Sequence, residues 1–501
     1  MKPRLISLAT SVIFLVGCAT NSQPPPSDLI AMAGLNEERG LRVNTTNLLP
    51  GYILFTPLIS DTTYLINRDG QVVHTWKGEY GPASTYFLED GHLMRGGRDP
   101  NAPRFNAGGQ GGFIEKFNWN GEVVWSYELA SYERLLHHDF EVMPNGNILA
   151  IAWENKNKTE SLSAGRRPAK TPEAGLWPDI IVEIEPQDEG GHVVWEWRAW
   201  DHMLQYTDPD LPNYGNPIDF PHKIDINAGP PIPQVTTEQL DAQKENLRST
   251  PLATVGNRGS DMHHSNAIAY NPELDQIAIS VRSLNEIWVI DHSISTEEAK
   301  GPAGDLLYRW GNPAAYGHPE PKDIGLGLQH DIRWIPEGFP GAGNLTAFSN
   351  TAIGSSPPVS ETVEFAPPLN SDGTYHIEPG QPFGPQELVW NYSDDYWASF
   401  ISGAHRMSNG NTFIDYGPQG RFIEVNREGE IVWEYWSLYS GEVRLPGGFT
   451  PQPIIPNMYS AFRATFIPSD HPGLANKTLR PLSPQPAPSV LNEEELAPFR
   501  N

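Results

Sequence analysis

Three histidines in this chain occupy the same position relative to a predicted hairpin turn. His138, His264 and His330 each lie six residues before the turn that joins two apolar strand signals. A neutral imidazole can act as a nucleophile, a general acid or base, or a metal ligand near neutral pH, because its unperturbed pKa is about 6.5. A lone histidine is more often structural. Three histidines in one repeat phase instead predict a shared reactive site.

The residues next to these histidines have a different predicted role. His137 and His263 precede two of them, and Asp139 and Asp331 follow two of them. Side chains alternate between the two faces of a strand, so these neighbours should point away from the site. We therefore expect the two aspartates to bond the backbone or a neighbouring sheet rather than act as catalytic bases.

A second set of residues lies seven positions after the turn. It contains Arg98, Trp153, Arg282 and Asn350. The two arginines would place fixed positive charge near the imidazoles, which favours an anionic substrate and repels a divalent cation. Trp153 could line a slot for an aromatic ring. The substrate-binding candidates are Arg98, Asn266, Asn350 and Arg463.

A short strand that recurs six times predicts the elements that position these residues. Each copy has a polar residue, two aliphatics, an aromatic, a variable residue and a second aromatic, and the copies begin at residues 71, 122, 192, 305, 387 and 430. Four hairpin signals lie between the copies, and two of them have Asn-Gly turns, at 145–146 and 409–410. Strand units of roughly 40 to 50 residues that repeat in this way are typical of propeller blades. We expect an all-β fold, a six-bladed β-propeller with long inserted loops.

In such a ring, equivalent positions of successive blades lie around one axis, so the three histidines should converge. The propeller is predicted over residues 51–470, followed by a Pro-rich C-terminal tail over 471–501. Residues 201–260 read as an insertion in the third blade, with a short helix over 237–247. Such an excursion could cover one face of the ring as a lid.

The first residues resemble a lipoprotein export signal. Residues 1–18 combine Lys2 and Arg4 with an apolar stretch that ends at Cys18, the only cysteine. This pattern predicts a signal peptide, a lipid anchor on Cys18 and a flexible tether over 19–50. With one cysteine, no disulfide can form within the chain. We expect a periplasmic or cell-envelope protein, held at the outer rather than the inner membrane because Ala19 is not acidic.

The net charge argues against one class of partner. With 34 Lys and Arg against 61 Asp and Glu, the chain carries a formal charge of −27. Such a charge repels nucleic acid and anionic membrane surfaces. A site for an anion must therefore be locally cationic.

Three segments resemble the bacterial arylsulfate sulfotransferase family. They are His138-Asp139-Phe140 with the turn at 144–147, His264-Ser265-Asn266 with Arg282, and Gln329-His330-Asp331 with Asn350. Members of that family are six-bladed periplasmic propellers that move a sulfuryl group from a phenolic sulfate ester to a phenol without a nucleotide sulfate donor. The resemblance covers roughly residues 51–470. The chain departs from the best-known members in lacking their N-terminal β-sandwich and disulfide, and in reading Ser402-Gly403-Ala404-His405 in the fifth repeat.

The resemblance implies a role for each matching residue. His330 matches the nucleophile, and His138, His264 and Arg282 match the groups that bind the sulfuryl oxygens and handle the phenolic proton. The implied partners are small aromatic sulfate esters and phenols, with no cofactor and no metal.

Two other functions fit the same residues. Histidines on one ring of a propeller can hold iron, copper or zinc, although Arg282 would repel a divalent cation. A propeller can also bind an anionic aromatic ligand without turning it over, since the fold alone does not determine function.

Overall fold

Short strands, nearly all of them antiparallel, account for most of the regular secondary structure of the described residues. The computed structural model describes residues 34–229, 259–440 and 459–489, apart from residues 59, 80, 100, 103 and 106. In chain order the strands are β1 (Gly40–Asn44), β2 (Gly51–Pro57), β3 (Thr62–Asn67), β4 (Val72–Lys77), β5 (Pro82–Phe87), β6 (Leu93–Arg98), β7 (Gly112–Phe117), β8 (Val123–Glu128), β9 (Arg134–Val142), β10 (Ile148–Glu154), β11 (Asp179–Pro186), β12 (Gly191–Arg198), β13 (Met203–Leu204), β14 (Ile224–Asp225), β15 (Ser265–Asn271), β16 (Gln276–Val281), β17 (Glu286–Asp291), β18 (Tyr308–Trp310), β19 (His330–Trp334), β20 (Leu345–Ser349), β21 (Glu361–Phe365), β22 (Trp390–Ser393), β23 (Gly403–Arg406), β24 (Thr412–Tyr416), β25 (Arg421–Val425), β26 (Ile431–Trp436) and β27 (Ala461–Pro468).

The described helices are short. The α-helices are α1 (Lys158–Ser163) and α2 (Thr296–Ala299), and the 3₁₀ turns are Pro168–Lys170, Ala199–His202, Pro217–Asp219, Arg282–Leu284, Pro302–Gly304, Pro313–Tyr316, Gly417–Gln419 and Pro472–Leu474.

Six antiparallel sheets form the ring, which confirms the predicted six-bladed propeller. Blade 1 has the strand order β27-β2-β3-β4, blade 2 β5-β6-β7-β8, blade 3 β9-β10-β11-β12, blade 4 β15-β16-β17-β18, blade 5 β19-β20-β21-β22 and blade 6 β23-β24-β25-β26-β1. The repeated sequence strand is the outermost strand of each blade in five cases. In blade 6 it is β26, and β1 pairs with its outer side.

The sequence repeat is offset from the structural blade. Each repeat begins with the outermost strand of one blade and continues into the inner strands of the next blade, because the chain crosses to the next blade after its outermost strand. The last repeat therefore ends in β27, which pairs with β2 and completes blade 1. This pairing joins the two ends of the propeller and closes the ring.

Apolar side chains fill every interface between adjacent blades. Six hydrophobic clusters each draw residues from two neighbouring sheets. The inner strands are therefore covered on both faces, and β10 is buried at every position. This explains why Ile148–Trp153 reads as a continuous apolar run rather than as an alternating strand.

The first aromatic residue of each repeat forms a hydrogen bond to the next blade. In four blades it is a tryptophan whose indole N–H donates to a backbone carbonyl in a turn of the next blade: Trp125 to Gly190, Trp195 to Ile294, Trp390 to Arg427 and Trp433 to Arg68, at 2.8–3.0 Å. In blade 4 the Tyr308 hydroxyl donates to Gly384 at 2.7 Å, and in blade 1 the Nε2 atom of His74 faces the Trp119 carbonyl. Each outer strand is thus hydrogen-bonded to its neighbour, which accounts for the recurrence of the motif.

Segments outside the six four-stranded units pack against the ring or extend it. Residues 40–44, inside the predicted tether of 19–50, form β1 on blade 6. In the tail, Leu482 donates its N–H to the Val72 carbonyl of blade 1 at 2.8 Å. The described part of the 201–260 insertion runs from blade 3 towards blade 4 and contains the parallel pair β13–β14. Cys18 and the predicted helix over 237–247 lie outside the described residues.

Candidate active site

The three in-phase histidines lie on the innermost strands of three consecutive blades. His138 is within β9, His264 directly precedes β15, and His330 is the first residue of β19. The pairing register of each strand shifts at this place. His138 and His264 have φ values of 55° and 53°, which residues other than glycine rarely adopt. Such bulges redirect side chains, and here the rings of His138 and His264 contact each other.

The structure brings together the four residues predicted to be catalytic. The rings of His138 and His264 are 4.4 Å apart between centroids. The pKa of His138 and that of His330 lie well below 6.5, first because both side chains are buried and then because of neighbouring charges that include His264 and Arg282. His138, His264, His330 and Arg282 therefore form one cationic cluster with neutral imidazoles at His138 and His330.

His330 is held by an amide whose orientation is fixed. Its Nδ1 atom lies 2.6 Å from Oδ1 of Asn350 and 3.1 Å from the Leu328 carbonyl. The Asn350 amide nitrogen donates to the carbonyls of Ala398 and Ile401 at 2.7 and 2.9 Å, so its oxygen must face the ring. Because Nδ1 faces two acceptors, it carries the proton. The Nε2 atom of neutral His330 therefore has a free lone pair.

His264 is paired with a carboxylate. Its Nδ1 atom lies 2.5 Å from Oδ2 of Asp261, whose Oδ1 accepts the indole N–H of Trp153 at 3.1 Å. The His264 side chain is 19% exposed, whereas His330 is 2% exposed. His264 is thus the histidine best placed to exchange protons with a bound molecule. Trp153 is fully buried behind the cluster, so the prediction that it lines a substrate slot is wrong.

His138 is enclosed by backbone on one side. The backbone N–H of His138 donates to the Gly109 carbonyl at 2.8 Å. A Cβ added to Gly109 would lie 1.9 Å from Nε2 of the His138 ring. Gly109 has a φ of 77°, which favours glycine. Only a glycine at this position lets the loop approach the imidazole so closely. On the other side, Nδ1 of His138 lies 2.7 Å from Nδ1 of His137.

The two arginines predicted from the second column occupy different places. Arg282 begins a 3₁₀ turn after β16, and the N–H of Ser283 in that turn donates to the His263 carbonyl at 2.9 Å. This contact ties Arg282 to the segment that carries His264. Arg98 ends β6 in blade 2 and donates to Oε1 of Gln110, next to the glycine that covers His138.

Arg463 lies at the axis in a buried ion-pair network. Its guanidinium contacts the carboxylate of Asp331 and lies 3.5 Å from Oδ2 of Asp139. Asp139 also accepts the N–H of Ile268 in the next blade, and Asp331 accepts that of Ala404 in the next blade. The predicted structural role of the two aspartates is therefore confirmed. Their charges already balance Arg463, which we had expected to contact substrate.

The last substrate-binding candidate, Asn266, is fully buried. Its amide nitrogen donates to the Gln329 carbonyl at 2.8 Å, directly before His330. Asn266 thus links the inner strands of blades 4 and 5 and positions the backbone of His330.

Sequence analysis gave no role to Asp179 or Asp261 and placed His137 away from the site, yet all three residues lie directly behind the cluster. His137, Asp179 and Asp261 contact His138 or His264 directly or through one another. The available signals were the two His-His pairs at 137–138 and 263–264 and an acidic residue three positions before His264. Asp179 lies on β11 and has no sequence relation to His137 that a repeat would reveal.

The described parts of the chain contain no group of three or more His, Cys, Asp or Glu side chains arranged to hold a metal ion. Within them, no helix is long and apolar enough to cross a membrane.

Several solved structures are similar to this chain at low identity. A protein of unknown function from Bacteroides caccae is 11% identical, with a TM-score of 0.38 over 77% of this chain and 94% of that chain. A putative 6-phosphogluconolactonase from Bacteroides fragilis is 8% identical, with a TM-score of 0.38 over 84% and 99%. A periplasmic gluconolactonase from Pseudomonas aeruginosa is 11% identical, with a TM-score of 0.34 over 84% and 99%. Scores this low carry no argument about this chain.

A search of curated proteins gave no match. A sequence model of the family described as arylsulfotransferase (ASST) matches residues 57–435. That span runs from β2 in blade 1 to β26 in blade 6 and includes His138, His264, Arg282 and His330. The match covers most of the chain and most of its propeller, and the chain therefore belongs to the arylsulfotransferase family.

Proposed function

We propose that this protein transfers a sulfuryl group from a phenolic sulfate ester to a phenol through a covalent intermediate on His330. The observation that carries the proposal is the contact of His330 Nδ1 with Asn350 Oδ1 at 2.6 Å. It holds the proton on Nδ1 and leaves the Nε2 lone pair available for attack on sulfur. The lowered pKa of His330, caused first by burial, keeps this lone pair unprotonated at neutral pH.

Positive charge and N–H donors would stabilise the transferring group. The sulfuryl oxygens carry negative charge in the transition state, as in phosphoryl transfer, so positioning and cationic donors dominate catalysis. Arg282 supplies the fixed charge, since its electrostatic effect reaches both His138 and His330. Removing one such donor typically costs about 3–4 kcal/mol of transition-state stabilisation.

The first half-reaction forms the covalent intermediate. Nε2 of His330 attacks sulfur, the N–S bond forms, and the bond from sulfur to the phenolic oxygen breaks. His264 gives a proton to the departing oxygen, and its paired carboxylate Asp261 balances the positive charge of the protonated ring. The products of this step are a free phenol and a sulfo-His330 enzyme.

The second half-reaction restores the enzyme. His264 accepts the proton of an acceptor phenol, the phenolic oxygen attacks sulfur, and the N–S bond breaks with its electron pair returning to His330. The donor leaves before the acceptor reacts, so the kinetics are ping-pong. Because the ester itself supplies the sulfuryl group, no nucleotide sulfate donor is needed.

The proposal also includes the location of the protein in the cell. The pattern of residues 1–18 supports export as a lipoprotein that is anchored through Cys18 in the periplasm or cell envelope, at the outer membrane. Labelling of the expressed chain with radioactive palmitate should modify the wild type and spare a Cys18→Ser variant. Equal labelling of both would contradict the anchor.

The test of the activity uses the full chain with 4-nitrophenyl sulfate, with and without phenol. We expect phenol-dependent release of nitrophenol and a sulfuryl mass increment on the peptide that contains His330. His330→Ala should lose both signals. His376→Ala, which removes a histidine whose side chain is 58% exposed, should keep them. Turnover retained by folded His330→Ala would exclude the proposed intermediate.

A further inference from the structure

Behind His138 lies a buried chain of contacts that ends in a carboxylate. Nδ1 of His138 lies 2.7 Å from Nδ1 of His137, and Nε2 of His137 lies 3.3 Å from Oδ1 of Asp179. The side chains of His137 and Asp179 are completely buried. The His137 ring stacks on Trp153, with centroids 4.0 Å apart and planes at 10°. Burial and stacking fix the ring of His137 between the two partners.

The charge of Asp179 determines whether one or both ring nitrogens of His137 carry a proton. A carboxylate without solvent needs a nearby positive charge or it becomes neutral. Oδ2 of Asp179 accepts the N–H of Ser265 at 3.0 Å, while Oδ1 has no hydrogen-bond donor among the described residues and lies 3.3 Å from Nε2 of His137. His263, the other neighbouring ring, has its pKa lowered to about 4 by burial, so it is neutral. His137 is therefore the group that can balance Asp179.

This arrangement sets the proton of His138. If His137 pairs with Asp179 as an imidazolium, both of its nitrogens carry protons, and its Nδ1–H must donate to Nδ1 of His138. A neutral His138 then has its single proton on Nε2. Burial and the surrounding positive charges lower the pKa of His138 well below 6.5, which is consistent with a neutral ring.

We propose that His137 and Asp179 are positioning residues that lock His138 in the Nε2–H tautomer, so that it presents an N–H donor to the sulfuryl group. This inference rests on the proposed function. His330 is held by Asn350 in the opposite tautomer. The two imidazoles would thus be divided by their partners into a donor and a nucleophile, and neither could take the role of the other.

Nitrogen NMR tests the lock directly. In the full chain labelled with ¹⁵N-histidine, long-range ¹H–¹⁵N correlations distinguish a protonated ring nitrogen from one with a lone pair. We expect a protonated Nε2 for His138 and a protonated Nδ1 for His330. The signals are assigned by their loss in His138→Gln and His330→Gln. A protonated Nδ1 on His138 would overturn the inference.

A pair of variants tests the role of His137. In Asp179→Asn, the N–H of Ser265 selects the amide oxygen, so the amide nitrogen faces Nε2 of His137. His137 is then neutral with its proton on Nδ1, and it still donates to His138. Asp179→Asn should therefore keep the Nε2–H signal of His138.

The double variant His137→Phe/Asp179→Asn keeps an aromatic ring on Trp153 but removes the donor without leaving an unpaired charge. Compared with Asp179→Asn, we expect loss of the fixed Nε2–H signal and a fall in kcat of at least about 10-fold. Identical spectra and rates in folded proteins would overturn the inference. The NMR signature needs no turnover, so an inactive wild type with the expected tautomers would refute the proposed function and leave the lock intact.

Discussion

The Oδ1 atom of Asn350 lies 2.6 Å from Nδ1 of His330, and Asn350 in turn is held by the carbonyls of Ala398 and Ile401. Those carbonyls belong to the segment between β22 and β23, which leads into blade 6. Ile401 has a φ of 48°, an uncommon conformation for a β-branched residue. The orientation of the proposed nucleophile therefore depends on a constrained backbone in the segment that connects blade 5 to blade 6.

Replacing Asn350 should slow the first half-reaction. Asn350→Ala removes the closer of the two acceptors for His330 Nδ1 and leaves only the Leu328 carbonyl at 3.1 Å, so the ring is held less firmly in one tautomer. Loss of a buried hydrogen bond costs about 1–3 kcal/mol, which corresponds to a fall of roughly 5- to 150-fold in the rate of sulfo-enzyme formation. Rapid-quench mass analysis measures this rate. Asn370→Ala, on an exposed turn, is the control. An unchanged rate in Asn350→Ala would show that Asn350 does not prepare the nucleophile.

The Asp261–His264 pair predicts a dependence on the leaving group. Asp261→Ala should weaken protonation of the departing phenol, which matters most for phenols that leave poorly as anions. We expect kcat/KM to fall about 100-fold with phenyl sulfate but less than about 10-fold with 4-nitrophenyl sulfate. His264→Ala should give the same pattern, and the double variant should lose little more, because the two residues act as a unit. Equal losses for both esters would contradict a role in proton transfer.

The lowered pKa of His330 predicts that sulfo-enzyme formation continues at acid pH. A free imidazole is protonated below about pH 6.5, but burial of His330 holds its pKa well below that value. Protonation of His330 should therefore not lower the rate of adduct formation as the pH falls through about 6.5. A rate that falls with decreasing pH, as a group with a pKa near 6.5 becomes protonated, would contradict this prediction.

The lowered pKa of His330 also predicts that the folded protein becomes less stable as the pH falls. Below pH 6.5 the unfolded chain binds a proton at His330 that the folded chain does not bind, so the free energy of unfolding falls as the pH falls. The contribution of one histidine is about 1.4 kcal/mol per pH unit over the window between the unfolded and folded pKa. His330→Gln should remove the contribution of this one histidine to the pH dependence of the free energy of unfolding. Denaturant titrations of both proteins across that window provide the comparison.

The sequence predicted the ring and the position of the histidines because both depend on repetition. Trp125, Trp195, Trp390 and Trp433 recur since each donates to the next blade, and this contact is the same in each interface. The phase of His138, His264 and His330 was visible because their strands are equivalent. Repetition in the sequence therefore reported the parts of the fold that are repeated.

The partners of these histidines were not predictable in the same way. Asp179 reaches His137 from β11, and Asn350 is oriented by carbonyls near β23. Each of these contacts occurs in one blade only and is not repeated around the ring. In addition, the bulges at His138 and His264 change the side-chain directions that simple alternation along a strand would assign. Arg463 was expected to bind substrate because no sequence signal showed that two aspartates from other blades would balance its charge.

Arg463 should be important for stability. Arg463→Met leaves the buried carboxylate of Asp139 without its cation and leaves Asp331 paired with Arg333 alone. Breaking a buried ion pair costs about 3–5 kcal/mol. Lys300→Met, which breaks an exposed pair with Glu297, should cost less than about 1 kcal/mol. Chemical denaturation gives both values. An Arg463→Met protein that keeps its stability but shows a raised KM would instead support a direct contact with substrate.

Two adjacent glycines beside the imidazoles should respond differently to one added methyl group. At Gly109 a Cβ would lie 1.9 Å from Nε2 of His138, and the φ of 77° disfavours any side chain. At Gly108 the nearest atom is Cε1 of His264 at 3.5 Å, an ordinary contact. Gly109→Ala must displace either the loop or the imidazole, so we expect at least a 100-fold loss of kcat/KM, since small misplacements of reacting groups can cost that much.

Gly108→Ala is the matched control, and it should retain activity within about 3-fold because nothing needs to move. Thermal denaturation of both variants separates a local displacement from general unfolding. If the loop merely lies near the site, the two substitutions will have similar effects. A large loss confined to Gly109→Ala, in protein that remains folded, would show that the close approach of this loop fixes the position of His138 for catalysis.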